Sequence, residues 1–483
     1  MMRSDHDPIT LFEKAAALWP DRPALVCAGR TMTYHELDEW SDRVAHKLRT
    51  EDHIGRVAFV ATKTPASYAL ILGILKSGGS YLPLSPDDPS GRHRIMLQQA
   101  GVCHVRSLSE DPVQAEHMIA TPVHEDMAPR PISDRHSDEA YVLFTSGSTG
   151  RPKGVSVSRA NMAAYLGHQI TRGQFNEHDR FTQFFALTFD LSVHDMFVSW
   201  AFGGSLHVPE PHAALNAAKF VRDHGITSWF SVPSVVMVMQ RMRALTPGSL
   251  PTLRQASFCG EALRWPLVRA FQVAAPNATI TNRYGPTEAT IAITEHVIPD
   301  SDAHHDGVVP IGRPFCDGRV RIEEEELWLG GPQIAHGYVN DPAATAKAFV
   351  QDELTGERWY RTGDRVSMNK EGALLFLGRI DHQVKILGHR VEPEEVDAVV
   401  HHHLPAVNTV TLPVEVSGVT RLVTFIDRSV DEIALLQHCK EFLPTHMIPE
   451  RIIALQDWPV NKHGKVDRMK LIELAYNEQG GIR

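Results

Sequence analysis

Short apolar runs alternate with amphipathic segments along most of the 483-residue chain. VAFVAT (57–62) is followed by SYALILGILKSG (67–78) and SYLPL (80–84), and ITSWFSV (226–232) is followed by VVMVMQRMRAL (235–245). The short runs have the length of buried strands, and the longer segments carry apolar residues at helical spacing. Strands that alternate with helices predict an α/β fold with mainly parallel sheets.

The pattern changes towards the C-terminus. Residues 307–380 hold strand-like runs separated by Gly and Pro, and the sequence after Gly378-Arg379 has strand and helix patterns of its own. Because a domain of this kind carries its own core, the chain is predicted to consist of a large N-terminal region, 1–380, and a small C-terminal α+β domain, 381–483.

Composition narrows the function. Lys and Arg number 48 against 58 Asp and Glu, a net charge of −10, which argues against binding of bulk nucleic acid. No apolar stretch is long enough for a membrane span or a signal peptide. The five cysteines lack metal or redox spacing and are predicted to be free thiols. The run His401–His403 is predicted to be solvated, because three sequence neighbours rarely converge on one ion. We therefore expect a soluble cytoplasmic protein that binds neither nucleic acid nor membrane.

A glycine-rich loop follows the predicted buried strand YVLF (141–144). Its sequence is TSGSTGRPKG (145–154). Small residues let backbone N–H groups approach phosphate oxygens, hydroxyls add donors, and Lys153 adds a cation. Pro152 precedes Lys153, so this is not a Walker A loop. Phosphate binding is favoured over the alternative of a flexible surface loop.

This loop resembles the phosphate loop of the adenylate-forming superfamily, which includes amino-acid adenylation domains of nonribosomal peptide synthesis, acyl- and aryl-CoA ligases and luciferases. Other signatures of that superfamily occur in the same order, between residues 33 and 468. They are TYHEL (33–37), LKSGGSYLPLSPDDP (75–89), FDLS (189–192), NRYGPTE (282–288), YRTGD (360–364), GRIDHQVK (378–385), LPTHMIP (443–449) and GKVDR (464–468).

The resemblance implies attack of a carboxylate on the α-phosphate of ATP, with release of pyrophosphate. Both reactants are anions, so catalysis should consist mostly of charge neutralisation and alignment. It also implies two sheet-and-helix subdomains and a smaller β-rich subdomain within 1–380. The C-terminal domain would be mobile, with its hinge at Asp381. Ser85, His336 and His463 depart from the usual pattern, but none removes a group that the chemistry requires.

The resemblance also assigns roles to residues. Lys465, Lys153 and Arg379 are the implied catalytic residues. Lys465 would bridge the α-phosphate and the substrate carboxylate. Glu288 would hold Mg²⁺, since this ion prefers carboxylate oxygen. Tyr284 would stack on adenine, and Asp364 would accept both ribose hydroxyls. The implied ATP-binding residues are Thr145, Ser146, Gly147, Ser148, Thr149, Gly150, Lys153, Tyr284, Thr287, Asp364, Arg379 and Lys385.

Asp190 bears on which carboxylic acid is activated. In amino-acid-activating members, the Asp of FDxS pairs with the substrate ammonium, and this interpretation is favoured over a helix-capping or turn carboxylate. The family's pocket positions fall on Asp190, Leu191, His194, Phe230, Ser257, Cys259, Arg283, Ile291 and Ala292. Phe230 and Ser257 depend on a gapless reading of weakly patterned stretches.

Arg283 is the cation among these pocket positions. A guanidinium in a pocket that excludes water needs a counter-charge. One hypothesis is a second carboxylate on the substrate, as in aspartate, a methylated aspartate or glutamate, with help from His194. The alternative is that Arg283 pairs with a protein carboxylate such as Glu261.

No carrier-domain or condensation-type motif occurs in the sequence. The resemblance therefore implies an enzyme that loads a separate carrier protein in trans. Some members of the family also need a small activator protein. Two alternatives stay open: an acyl- or aryl-CoA ligase of the same fold, and a degenerate member that only binds a nucleotide or a partner. Asp190 argues against the first, and the intact lysines and acidic residues argue against the second.

Overall fold

The computed structural model describes most of the chain. The described residues are 4–51, 55–102, 104–110, 119–122, 138–147, 149–210, 216–299, 306–315, 317–405, 407–416, 419–456, 458–460 and 466–478. They fall into two compact units. Unit 1 comprises the described residues of Met1–Pro86, Gln98–Leu143 and Gly154–Ile380, and unit 2 those of Asp87–Leu97, Phe144–Lys153 and Asp381–Arg483.

The helices are α1 (Pro8–Leu18), α2 (Tyr34–Thr50), α3 (Pro65–Ser77), α4 (Ser90–Ala100), α5 (Arg159–Arg172), α6 (Leu191–Ala201), α7 (Ala217–His224), α8 (Pro233–Arg241), α9 (Trp265–Ala274), α10 (Pro342–Ala348), α11 (Pro393–His403), α12 (Glu432–Phe442) and α13 (Arg468–Glu478). The strands are β1 (Pro23–Cys27), β2 (Arg30–Thr33), β3 (Arg56–Val60), β4 (Ser80–Leu84), β5 (His104–Ser107), β6 (Ile119–Pro122), β7 (Glu139–Thr145), β8 (Lys153–Ser158), β9 (Arg180–Thr182), β10 (Ser205–His207), β11 (Ser228–Ser231), β12 (Gln255–Phe258), β13 (Thr279–Tyr284), β14 (Thr294–Val297), β15 (Arg313–Pro314), β16 (Arg319–Glu323), β17 (Glu326–Gly330), β18 (Gly337–Tyr338), β19 (Phe349–Gln351), β20 (Arg358–Met368), β21 (Leu374–Arg379), β22 (Val384–Ile386), β23 (His389–Val391), β24 (Thr409–Val416), β25 (Val419–Ile426) and β26 (Arg451–Ala454).

Three sheets organise the large N-terminal region. A nine-stranded sheet has the order β15-β14-β13-β12-β11-β9-β10-β1-β2 and is parallel from β13 to β1, and a seven-stranded sheet has the order β18-β8-β7-β4-β3-β5-β6. The antiparallel strands β16, β17, β20, β19 and β21 form a smaller sheet. The predicted α/β class, with two sheet-and-helix subdomains and a β-rich subdomain, is confirmed.

Helix α3 shows how the apolar pattern determines packing. Every one of its residues is buried, which fits a segment that is apolar on all sides. Its last-turn cation, Lys76, donates to Asp38 at 2.5 Å and to Asp42 at 2.7 Å, so the buried charge is paired. The helix shares one apolar core with residues of both large sheets, such as Leu25 of β1 and Phe59 of β3.

A buried charge network joins four strands of the seven-stranded sheet. Glu139 at the start of β7 accepts hydrogen bonds from Arg56 of β3, from Nε at 2.8 Å and from Nη2 at 2.7 Å, and both side chains are completely buried. It also accepts from the hydroxyls of Ser80 on β4 and Ser156 on β8, each at 2.6 Å. The ion pair is thus saturated with hydrogen bonds, the condition under which a buried pair is tolerated.

Unit 2 contains the C-terminal segment with its own sheets and core. Strands β24, β25 and β26 form one sheet and β22 pairs with β23, while α11 and α12 cover an apolar cluster that includes Val396 and Leu435. This segment starts at Asp381, and the segments 87–97 and 144–153 belong to the same unit. His401–His403 end α11 and are exposed. The three cysteines in the described residues, Cys27, Cys259 and Cys439, are buried and form no disulfide.

Two partly buried histidines of unit 2 stack on each other. The rings of His389 and His446 lie 3.9 Å apart. Burial, then His389 and Arg92, lower the pKa of His446 from 6.5 to about 2, and burial lowers the pKa of His389. In the unfolded chain these histidines bind protons near pH 6.5, whereas in the folded chain they stay neutral to lower pH. The neutral histidines therefore leave the folded state at full stability above pH 6.5, and this stability is lost as the pH falls below that value.

We therefore expect the urea concentration at the midpoint of unfolding of unit 2 to decrease when the pH is lowered from 7.5 to 5.5. His446→Phe, which cannot ionise, should flatten this dependence, whereas His401→Gln at an exposed position should leave it unchanged. The same slope in the wild type and in His446→Phe would show that other groups cause the acid sensitivity.

Candidate active site

The carboxyl ends of three parallel strands meet at one edge of the nine-stranded sheet. Phe230 on β11 is the register partner of Ser257 on β12, and β12 is followed by β13, which carries Arg283. All three side chains are buried. In open α/β sheets, ligands bind beyond the carboxyl ends of the strands. The gapless reading of the sequence thus places Phe230 and Ser257 beside the better anchored Arg283.

A chain of hydrogen bonds crosses this edge. Arg283 donates from Nε to Ser257 at 3.2 Å and from Nη1 to the hydroxyl of Tyr165 at 3.3 Å. The Tyr165 hydroxyl lies 2.6 Å from Nδ1 of His194. Burial and Arg283 lower the pKa of His194 well below its usual range, so this imidazole is neutral. Tyr165 therefore donates to Nδ1, and the ring carries its proton on Nε2.

The carboxylate beside Arg283 is Glu295, rather than Glu261. Glu295 on β14 is the cross-strand partner of Arg283, and its Oε2 lies 3.8 Å from Nη2 of Arg283. It also pairs with Arg172 and lies 3.4 Å from His168. Burial opposes ionisation of Glu295, but His168, Arg283 and Arg172 outweigh burial and lower its pKa. Glu261 accepts from the backbone N–H of Ser234 instead.

Asp190 immediately precedes α6, and Leu191 is the first residue of that helix. Asp190 is 6% exposed, and its side chain makes no capping hydrogen bond to the helix. Burial raises the pKa values of Tyr81 and Tyr141, and the negative charge of Asp190 raises them further. The capping alternative therefore has no hydrogen bond to support it. The other predicted pocket residues, Leu191, Cys259, Ile291 and Ala292, are each at most 2% exposed.

A second group of predicted residues lies where β13, β20 and β21 end or pair. The Tyr284 hydroxyl donates to one oxygen of Asp364, and Arg379 donates to the other at 2.8 Å. Asp364 and Arg379 are register partners on β20 and β21. Burial and Asp364 raise the pKa of Tyr284 well above its usual value. This triad presents a carboxylate and an aromatic ring, the groups needed for ribose hydroxyls and a base.

Glu288 lies in a short 3-10 turn, Thr287–Ala289, and is completely buried. One of its oxygens accepts a hydrogen bond from Tyr338 at 2.8 Å. Among the residues that the structure describes, no group of three or more His, Cys, Asp and Glu side chains could hold a metal by itself. The carboxylate of Glu288 is the kind of oxygen ligand that Mg²⁺ prefers, and it would hold such an ion.

The described residues of the phosphate loop up to Lys153 belong to unit 2. Gly147 donates its N–H to Glu395 at 3.1 Å, and Ser146 donates to the carbonyl of Arg390 at 2.7 Å. A Cβ at Gly147 would lie 2.0 Å from the carbonyl oxygen of Arg151, so no larger residue fits there. The loop backbone thus donates a hydrogen bond to a carboxylate oxygen in this structure.

The remaining predicted residues are distributed around this loop and beyond it. Thr145 ends β7, Lys153 begins β8, and Gly150 has a positive φ of 78°. Thr149 lies in a turn after the loop glycine, and Lys385 and Asp381 are exposed. Ser148 and Lys465 lie outside the described residues.

A family model described as AMP-binding enzyme matches residues 12–339. The chain belongs to the AMP-binding enzyme family. Its matched segment covers the sheet edge with Arg283 and the loop with Lys153. The assignment confirms the adenylate-forming resemblance and the use of ATP that is general for such enzymes.

Relatives of this AMP-binding enzyme refine the assignment. Tyrocidine synthase 3 from Brevibacillus parabrevis is 34% identical over 492 residues, which cover 95% of this chain but only 7% of that protein. The structure of the Vibrio cholerae adenylation domain AlmE in complex with glycyl-adenosine-5′-phosphate is 31% identical, with a TM-score of 0.85 and 99% of each chain covered. Holo-PA1221, an NRPS protein containing adenylation and PCP domains, is 27% identical with a TM-score of 0.80, covering 97% of this chain and 84% of that one. This AMP-binding enzyme is an adenylation domain of the nonribosomal peptide synthetase type and an AMP-forming amino-acid ligase.

No helix in its described part is long and apolar enough to cross a membrane.

Sequence reasoning missed Tyr165, Glu295, Arg172 and His168 at this site. Tyr165 lies 118 residues before Arg283, on a helix whose buried face looks like ordinary core. Glu295 is brought to Arg283 by the antiparallel pairing of β13 and β14, which the sequence pattern did not predict.

Proposed function

We propose that this enzyme activates an amino acid with a small, uncharged side chain and transfers it to the phosphopantetheine thiol of a separate carrier protein. The substrate carboxylate attacks the α-phosphorus of ATP, the bond to pyrophosphate breaks, and aminoacyl-AMP forms. The thiol then attacks the aminoacyl carbonyl, and AMP leaves. Asp190 binds the ammonium group.

The proposal of a small, uncharged substrate side chain rests on the hydrogen-bonded chain of polar residues at the sheet edge. Arg283 donates to Ser257 and Tyr165, and Tyr165 is hydrogen-bonded to His194. Arg283 also has a protein counter-charge in Glu295. Arg283 therefore does not require a charge from the substrate. The glycyl-adenylate bound by the Vibrio cholerae relative supports the same size class.

An acidic amino acid is the second candidate. Arg283 and Arg172 carry two positive charges against the single carboxylate of Glu295, and His194 is neutral. This excess of one charge favours a substrate carboxylate, for which a guanidinium fork is well suited. An acyl- or aryl-CoA ligase would have no use for the carboxylate of Asp190.

The nucleotide roles are part of the same proposal. Lys153 and the loop hydroxyls hold the β- and γ-phosphates. Glu288 would hold Mg²⁺, and the ion would neutralise phosphate charge. Tyr284, Thr287, Asp364, Arg379 and Lys385 bind the nucleoside and phosphate, and Lys465 bridges the α-phosphate and the substrate carboxylate. Asp381 is the hinge of the C-terminal segment.

ATP–pyrophosphate exchange over a panel of acids tests the proposal. The panel holds the proteinogenic amino acids, β-amino and methylated dicarboxylic amino acids, and simple aryl and fatty acids, with and without a candidate activator protein. Exchange confined to glycine, alanine and serine is expected, followed by loading of a carrier protein detected by mass spectrometry. Exchange with aspartate-like acids would establish the second candidate, and exchange with acids that lack an amine would overturn the amino-acid assignment.

A further inference from the structure

We propose that Tyr165 and Glu295 are specificity-determining residues that hold Arg283 across the end of the side-chain pocket and thereby exclude acidic amino acids. This inference rests on the proposed amino-acid activation. Neither residue belongs to the pocket positions that the family resemblance supplies.

The position of Arg283 is fixed from two directions. Nε and Nη1 donate to Ser257 and Tyr165, which anchor one side of the guanidinium. Nη2 lies 3.8 Å from Glu295, an ion-pair distance that is too long for a hydrogen bond. The guanidinium thus keeps hydrogen-bonding capacity at Nη2, while its charge is compensated by Glu295.

Glu295 is well placed to act as a fixed counter-charge. Backbone pairing of β13 with β14 sets it opposite Arg283, and its carboxylate is held by Arg172 and His168. His168 in turn stacks on Phe315 with ring centres 4.0 Å apart. The carboxylate has little freedom to leave, so it competes directly with a substrate carboxylate for Arg283.

Tyr165 links Arg283 to a second predicted pocket residue. Its hydroxyl joins Arg283 to His194, and the His194 ring packs edge-on against Phe230 at 4.6 Å. Tyr165 is completely buried. Without this hydroxyl, Arg283 and His194 each lose a hydrogen-bond partner and become available to a polar substrate group.

The test is the ratio of kcat/KM for aspartate to kcat/KM for glycine, measured by pyrophosphate exchange. We expect Glu295→Gln to raise this ratio at least tenfold over the wild type, because the neutral amide leaves the Arg283 charge uncompensated. Tyr165→Phe should shift the ratio in the same direction by a smaller factor. Glu261→Gln is the matched control and should leave the ratio unchanged, since the Glu261 carboxylate accepts from the backbone N–H of Ser234 instead.

A ratio between two substrates on one variant does not depend on the folded fraction, so it separates specificity from stability. A change below threefold in both variants would overturn the inference. A wild type that already prefers aspartate would also overturn it, because Arg283 would then bind acids with Glu295 in place. A wild type that activates no amino acid would instead reject the proposed function.

Discussion

Replacing Asp190 by asparagine is expected to lower kcat/KM for the amino acid by about 30- to 5,000-fold. The change keeps the shape of the side chain but leaves the substrate ammonium without its partner in a buried site. Removal of one partner of a buried charge pair costs about 2–5 kcal/mol, and each 1.36 kcal/mol is a factor of ten. Asp190 is 6% exposed and makes no helix-capping bond, so the substitution does not remove a cap of α6.

The control is an acid of the same size that lacks the amine. Its weak pyrophosphate exchange should be unaffected by Asp190→Asn, because it brings no ammonium to the pocket. Glu261→Gln again serves as the control, because it replaces another carboxylate of unit 1 by an uncharged amide, and it should leave kcat/KM unchanged. A loss below tenfold, or an equal loss with the deaminated acid, would show that Asp190 is a structural residue.

Glu139→Ala is expected to lower the free energy of unfolding by about 3–5 kcal/mol, the cost of breaking a buried ion pair by removing one partner. Arg56 would remain buried with an uncompensated charge, and the hydroxyls of Ser80 and Ser156 would each lose an acceptor. Urea unfolding followed by circular dichroism measures the change. Since the network lies in the sheet that carries the phosphate loop, loss of ATP-dependent activity should follow the loss of folded protein.

The neighbouring Asp138 provides a matched control. Its carboxylate is about one-third exposed and pairs with His336 at 3.1 Å. Exposed ion pairs contribute about 0–1 kcal/mol to stability. The urea midpoint of Asp138→Ala should therefore be close to that of the wild type. Equal midpoints for Glu139→Ala and Asp138→Ala would show that the buried network does not stabilise the sheet.

The fold was predictable because its signals are local. The alternation around α3 and β4, and the loop after β7, depend on residues that are neighbours in sequence. Pocket positions such as Ser257 could be placed because parallel strands end together at one edge. The partners of Arg283 could not, since Tyr165 reaches it from a distant helix and Glu295 through strand register, and neither relation leaves a periodic pattern in the sequence.

The Glu139 network has a consequence for synthesis on the ribosome. Arg56 and Glu139 are 83 residues apart, and Ser156 follows 17 residues later. Until the nascent chain has emerged beyond Ser156, the network is incomplete. Arg56, which is buried in the folded protein, is then present without all the residues of its network. Because pairings so distant in sequence form slowly, the seven-stranded sheet should close late, and slowed translation just after residue 139 should increase aggregation of the emerging chain.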